Sequence, residues 1–282
     1  MGSDVLIKTR DLTKDFPGVR ALDAVDFDLR RGEIHAILGE NGAGKSTLIK
    51  ILCGVYQADQ GDVLVDGRQA EFTSPRQAQQ KGIRVIHQEL NLLPALTVKE
   101  NIFLGNLPDG NLPGFINWRK LKQRSAQILE HFQTSIDPDV KAASLSCGEA
   151  QIVEIAQALT SEVKIFILDE PTAALNDTET EALFDLLTSM AQEGIGIIYI
   201  THRIKEVFDI AQRVSVLRDG QLIGTKQVAE TTTEELIEMM VGRTLDEMYP
   251  RHHVSIGEEL LGVKDLSTES GLADISLNVR AG

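Results

Sequence analysis

The sequence predicts an α/β fold with a mainly parallel central sheet, an antiparallel β subdomain and a helical subdomain. Three observations lead to this prediction. Short β-branched runs alternate with helical patterns along the chain, as crossover connections between parallel strands require. Two Asp-Gly turns, at 66–67 and 219–220, lie between apolar stretches and indicate hairpins. From about residue 89 to 160, amphipathic helical patterns interrupt the alternation.

Capping residues mark where several of the helices begin. Asn117 precedes an apolar helical stripe, and Thr178 with Glu181 and Thr232 with Glu235 form capping pairs. The strands of the central sheet are short apolar runs between these helices. The candidate strands are Glu33–Leu38, Ile83–His87, Lys164–Leu168 and Gly196–Ile200.

Near its end the chain contains a partial internal repeat. Leu260–Leu266 echoes Leu6–Leu12, and Leu272–Gly282 echoes Leu22–Gly32. Between the copies, apolar periodicity is lost, as it is in a linker. We therefore expect a first domain at 1–243 with its helical subdomain at about 89–160, a linker at 244–258, and the beginning of a second, truncated domain at 259–282.

Composition narrows the class of protein. The 282 residues are 42% hydrophobic, carry a net charge of −14 and include two cysteines without metal-ligand spacing. No apolar run reaches the ~18 residues of a membrane span, and the first residues lack the pattern of a secretory signal. We expect a protein of a reducing compartment that reaches a membrane only through partners, with no nucleic acid among them because the chain is acidic.

The strongest motif is a glycine-rich loop between a predicted strand and a helical run. Residues 39–46 match G-x-x-x-x-G-K-[ST], in which backbone N–H groups surround phosphate oxygens and the lysine adds a full positive charge. A chance glycine-rich turn would rarely carry Lys-Ser at this offset. The motif predicts a nucleoside triphosphate and Mg²⁺ as ligands, with the Ser46 hydroxyl on the metal. The predicted nucleotide-binding residues are Gly39, Glu40, Asn41, Gly42, Ala43, Gly44, Lys45, Ser46 and Thr47.

Two adjacent carboxylates end another predicted strand. Asp169 and Glu170 follow the apolar run 164–168. One can hold Mg²⁺, while its neighbour, which points the other way, can orient or deprotonate the attacking water. An acidic helix cap is the alternative interpretation. The phosphate-binding loop favours the catalytic one, with Asp169 as metal ligand and Glu170 as base.

The segment Leu145-Ser-Cys-Gly-Glu149, before an amphipathic helix and ahead of Asp169, resembles the signature sequence of the ABC ATPase family. The resemblance implies a P-loop ATPase in which two domains face each other head to tail. Ser146 and Gly148 of one domain would then close over ATP held by the other. In the isolated chain they can also act as an ordinary serine N-cap and first turn.

Three more positions take their roles from this resemblance alone. It implies that Gln88 is the glutamine that contacts Mg²⁺ or water, that His202 touches the γ-phosphate, and that Phe16 stacks on adenine. The sequence also departs from the family pattern at Cys147, Glu149 and Asn176. We expect Glu149 to matter most, because a carboxylate facing triphosphate is repulsive unless it points away or caps its own helix.

Three segments, at 16–22, 73–78 and 87–102, are similar to the bacterial monosaccharide-importer ATPases. The resemblance implies permease subunits, an extracytoplasmic sugar-binding protein and a second ABC domain as partners, at the cytoplasmic face of the membrane. Related tandem proteins import nucleosides, so the cargo rests on analogy. A soluble ABC protein acting on ribosomes or DNA, and a non-catalytic regulatory domain, are the other interpretations. The acidic chain disfavours the former, and the intact site residues disfavour the latter.

Overall fold

The computed structural model describes residues 4–86, 91–106, 116–242, 257–268, 271 and 273–281. The chain divides into two compact units, Met1–Gly242 and Arg243–Gly282. In the described part of the chain, none of the helices is long and apolar enough to cross a bilayer.

The first unit contains a six-stranded sheet whose strands lie in the order β11-β10-β4-β9-β8-β7. Only the edge strand β11 runs antiparallel to its neighbour, so the predicted mainly parallel sheet is confirmed. Its inner strands β4 and β9 are buried along their whole length because both faces of the sheet are covered. The strands are β4 Ile34–Leu38, β7 Ile83–Ile86, β8 Ile165–Asp169, β9 Gly196–Thr201, β10 Arg213–Arg218 and β11 Gln221–Gln227.

A second, antiparallel sheet has the order β2-β1-β5-β6, with β3 paired to β1. Asp66 and Gly67 join β5 to β6, and Asp219 and Gly220 join β10 to β11. All four turn residues have positive φ, as a tight hairpin of this kind requires. The strands of this sheet are β1 Val5–Phe16, β2 Val19–Val25, β3 Asp28–Arg30, β5 Gln60–Val65 and β6 Arg68–Gln69.

Two of the three predicted helix caps are confirmed. The side chains of Asn117 and Thr232 accept the backbone N–H groups of Lys120 and Glu235. The Thr178–Glu181 prediction is wrong, because Asn176 caps that helix two residues earlier. The helices are α1 Lys45–Leu52, α2 Pro75–Gln80, α3 Val98–Ile102, α4 Trp118–Glu130, α5 Cys147–Ala158, α6 Asp177–Gln192, α7 Ile204–Ile210 and α8 Thr233–Val241.

Alternate residues of the parallel strands pack into two cores. Ala36 and Leu38 join a core with α3, α4 and α5, whereas Ile37 joins a core with α1 and the antiparallel sheet. This division follows from the two-residue period of a strand. The central sheet is therefore covered on both faces, and its carboxyl edge carries the loops that follow β4, β8 and β9.

The second unit contains an antiparallel hairpin of β12 Glu259–Leu266 and β13 Ile275–Arg280. Its register reproduces the pairing of β1 with β2 and β3. The equivalent pairs are Leu261 with Val279 and Ile7 with Leu29, and Leu266 with Ile275 and Leu12 with Val25.

The irregular backbone of the first unit recurs in this hairpin. Asp265 and Asp274 have φ of 52° and 53°, as Asp11 and Ala24 have 47° and 49°. The equivalent apolar positions differ in burial. They are at most 3% exposed in the first unit and between 39% and 72% exposed in the hairpin, where they are Leu260, Leu261, Leu266, Ile275, Leu277 and Val279.

Candidate nucleotide-binding site

The glycine-rich loop leaves β4 at the carboxyl edge of the parallel sheet and ends where α1 begins. Gly44, the N-cap of α1, has φ of 106°, a conformation that favours glycine. A Cβ there would lie 2.7 Å from the carbonyl oxygen of Ala21, and one on Gly39 would lie 2.4 Å from that of Leu217. Larger residues would therefore disrupt the path of the loop. The turn aims the amino end of α1, with its partial positive charge, into a cavity.

Lys45 is held inside this loop. Its Nζ donates hydrogen bonds to the carbonyl oxygens of Gly39 at 2.7 Å and Glu40 at 2.9 Å. Burial lowers the pKa of Lys45, and the carboxylates of Glu170, Asp169 and Glu40 act in the opposite direction. A partly desolvated cation thus lies where an anion can replace the carbonyl contacts.

The loop lines a cavity of about 420 Å³ together with both predicted carboxylates. The sheet explains this meeting, because β4, β9 and β8 are adjacent and parallel. The lining residues are Val19, Arg20, Ala21, Asn41, Gly42, Ala43, Gly44, Lys45, Ser46, Thr47, Asp169, Glu170, Asp219 and Gly220.

Glu170 and His202 contact each other beside this cavity. Nδ1 of His202 donates to Oε1 of Glu170 at 2.9 Å. Glu170 also has φ of 50°, and its N–H donates to the carbonyl oxygen of Ile200 at 2.9 Å. Such a backbone conformation is uncommon outside glycine and concentrates at functional sites. Both side chains line a neighbouring cavity with Glu40, Asn41, Gly42 and Met240.

Phe16 is not among the described residues that line the phosphate cavity, although its strand partner Val19 is. Its ring packs edge-on against Tyr56, with centroids 5.4 Å apart, and Lys14 Nζ lies 5.5 Å from its centroid. Among the described residues, Val19, Arg20 and Ala21 at the start of β2 line the cavity instead. Sequence reasoning missed these three. Their only signal in the sequence was their position shortly after Phe16.

Ser146 and Gly148 lie at the amino end of α5, and neither is among the described residues that line the phosphate cavity. Ser146 Oγ accepts from Glu149 N at 3.3 Å, and Glu149 Oε2 accepts from Ser146 N at 2.8 Å. Glu149 thus caps its own helix, as does Asn176 on α6 with Glu179. Gln88 lies outside the described residues.

A glycine-rich loop that ends at a helix, with a lysine and carboxylates around one cavity, defines a nucleotide-binding P-loop fold. Residues 22–173, more than half of the 282, match the family model described as ABC transporter. The chain belongs to this family. It is a nucleotide-binding cassette, and the predicted fold class is confirmed.

Relatives carry more specific names. The chain is 46% identical over 277 residues to the "Ribose import ATP-binding protein RbsA" of Geobacillus kaustophilus, covering 98% of this chain and 56% of the relative. It is 44% identical over 280 residues to the "Putative ribose/galactose/methyl galactoside import ATP-binding protein 2" of Rhizobium meliloti, covering 99% and 54%. The chain therefore spans little more than half the length of these relatives.

Solved structures agree with the fold. A nucleotide-free ATP-binding cassette from an ABC transporter is 28% identical with a TM-score of 0.71, covering 85% of this chain and 96% of that one. The ADP conformation of MJ1267, an ATP-binding cassette of an ABC transporter, is 27% identical with a TM-score of 0.71, covering 86% and 100%.

Proposed function

We propose that this chain binds and hydrolyses ATP and thereby powers the import of a monosaccharide through an ABC transporter. The contact between Glu170 and His202 beside the cavity of Lys45 carries this proposal. A carboxylate oriented by an imidazole at the rim of a phosphate-binding loop is suited to activating water for attack on a γ-phosphate. The relatives named as ribose and galactose import proteins support a sugar as the cargo.

The residues around the cavity fit MgATP. The Ser46 hydroxyl and the Asp169 carboxylate line the same space, and Mg²⁺ prefers such oxygen ligands. When bound, the metal would neutralise phosphate charge. Gln88 is proposed as a further ligand and Phe16 as the residue against the adenine. Lys45 binds the phosphates, Glu170 takes the proton of the attacking water, and His202 orients Glu170 and contacts the γ-phosphate.

Ser146 and Gly148 are proposed to close over nucleotide bound by another domain. Their absence from the described lining of the chain's own phosphate cavity supports this role. The amino end of α5 has the partial positive charge suited to a γ-phosphate. Because Glu149 Oε2 accepts from Ser146 N, its charge is engaged at its own helix end.

We further propose that residues 259–282 begin a second ABC domain after a linker at 244–258. The hairpin repeats the register and the positive-φ positions of β1 to β3, and its apolar side chains are exposed where their counterparts are buried. In the first copy Gly39 follows Gly32 by seven positions. A second ABC domain would carry its own glycine-rich phosphate loop at this spacing. A full-length protein without such a second loop would contradict the proposal.

The proposed partners are transmembrane permease subunits, with an extracytoplasmic sugar-binding protein acting through them, at the cytoplasmic face of the membrane. The test is uptake of labelled monosaccharides by cells that lack the full-length gene, complemented with the wild-type or the Lys45→Ala gene. Uptake of one sugar restored by the wild type alone would support the proposal. Equal uptake of every sugar with both genes would contradict it.

A further inference from the structure

Glu206 is a buried acidic residue for which the proposed hydrolysis has no direct use. It lies in the first turn of α7 and is 6% exposed. Its Oε1 accepts a hydrogen bond from Thr172 Oγ1 at 2.7 Å. Its Oε2 accepts from Tyr199 OH at 2.9 Å and from Thr201 Oγ1 at 2.8 Å. Three hydroxyl donors therefore converge on one buried carboxylate.

A guanidinium partly compensates the charge of this carboxylate. Arg203 Nη1 lies 3.3 Å from Glu206 Oε1, and Arg203 N donates to Thr201 Oγ1 at 2.9 Å. Removing one partner of a buried charged network leaves the others unsatisfied. The network therefore fixes the conformation of the segments that contribute its donors.

Those segments carry the two residues that contact each other beside the nucleotide cavity. Thr172 follows Glu170 by two positions, and Thr201 and Arg203 flank His202. Thr172 and Thr201 are each 2% exposed, so both segments are held from the interior.

We propose that Glu206 is a positioning residue. Its hydrogen bonds link the loop after β8 to the end of β9 and the residues that follow it, and so hold His202 against Glu170. This role rests on the proposed hydrolysis of ATP. Glu206 does not line the cavity of the phosphate loop among the described residues, and it acts through its neighbours.

The hydrogen-bond network around position 206 is matched to a carboxylate. Both oxygens accept, and each receives two donors. In Glu206→Gln one oxygen becomes an NH₂ group that cannot accept, so two of the four donors must rearrange, and Arg203 loses its countercharge. The two segments then lose a shared hydrogen-bond acceptor, while the phosphate-binding loop keeps all of its contacts.

The test compares ATP hydrolysis by the full chain with that of Glu206→Gln. We expect kcat to fall about 10-fold or more, because small misplacements of a reacting group are costly, with little change in KM for ATP. Glu33→Gln is the matched control. Glu33 is 7% exposed and accepts from Arg213, but it precedes β4 at the opposite edge of the sheet. The kcat of Glu33→Gln should equal that of the wild type.

A second measurement does not depend on turnover. The ¹⁵N resonance of His202 Nδ1 in Glu206→Gln should move toward its position in Glu170→Ala, and it should not move in Glu33→Gln. If the full-length wild-type protein shows no turnover, the proposed hydrolysis fails, and this resonance alone decides the role of Glu206.

Thr172→Val provides a milder perturbation if Glu206→Gln does not fold. It removes one donor at nearly constant volume, and we expect a smaller fall in kcat and a smaller shift of the resonance. A folded Glu206→Gln, or failing that a folded Thr172→Val, with wild-type kcat and an unmoved His202 resonance would overturn the proposal.

Discussion

Nδ1 of His202 lies 2.9 Å from Oε1 of Glu170, although 32 positions separate the two residues in the chain. The sheet produces this contact. Strands β8 and β9 are adjacent and parallel, with Asp169 paired to Ile200, so the residues that follow both strands meet at one edge. The contact gives the proposed base a fixed orientation.

Glu170→Gln should bind ATP with near wild-type affinity and hydrolyse it about 10²- to 10⁴-fold more slowly, because an amide cannot take the proton of the attacking water. Phosphate release and binding of a fluorescent ATP analogue measure the two effects. Glu162→Gln, an exposed change before β8, is the control. Turnover by Glu170→Gln at the wild-type rate would show that another group acts as the base.

Lys45→Ala should abolish nucleotide binding. The substitution removes a buried cation and the two hydrogen bonds that Nζ donates to Gly39 and Glu40. Titration calorimetry with ATP measures the loss, expected to exceed roughly 100-fold for a charge-assisted phosphate contact. Lys50→Ala on the same helix is the control, since Nζ of Lys50 instead lies 5.4 Å from the ring centroid of Tyr56. Similar ATP affinities for the two variants would contradict the assignment.

The capping box at the start of α5 should contribute to the free energy of unfolding. Ser146→Ala should lower the free energy of unfolding by about 1 kcal/mol, because it removes the acceptor for Glu149 N. Glu149→Gln should change it by less than about 0.5 kcal/mol, since a glutamine oxygen can also accept from Ser146 N. Urea unfolding measures both. Equal losses in the two variants would mean that the charge of Glu149, and not its capping geometry, matters.

The buried imidazole of His35 should make the free energy of unfolding depend on pH. Burial lowers its pKa to about 3 from an ordinary 6.5. The neutral ring is satisfied, because Nδ1 donates to the carbonyl oxygen of Asp28 and Nε2 accepts from Ser215 Oγ. Between these two pKa values the unfolded chain binds a proton that the folded chain does not. The stabilisation by His35 is therefore complete above pH 6.5 and is lost as the pH falls.

The slope due to this one group approaches about 1.4 kcal/mol per pH unit well below pH 6.5. Urea unfolding at pH 7 and pH 5 of the wild type and of His35→Gln checks this expectation. The wild type should lose more stability between the two pH values than the variant, in which position 35 does not titrate. Equal losses would contradict the assignment.

Local signals account for what sequence reasoning predicted well. The strand before Gly39 is apolar apart from His35, and the four residues before Asp169 are a continuous apolar run. The Asp-Gly pairs specify hairpins through their own backbone preferences. The missed cap of α6 shows the limit of such signals. Asn176 and Thr178 are both plausible caps, and the chain selects Asn176, which forms a full capping box with Glu179.

The sequence by itself determined the α/β fold class, the phosphate-binding loop and the pair Asp169-Glu170, because spacing and periodicity within short segments encode them. Only the tertiary structure decided that His202 contacts Glu170, that Phe16 packs against Tyr56, and that Glu206 accepts hydrogen bonds from the loop after β8 and from the end of β9. The physical reason is that strand order and register bring distant segments together. No local pattern in the chain specifies which strands will be neighbours.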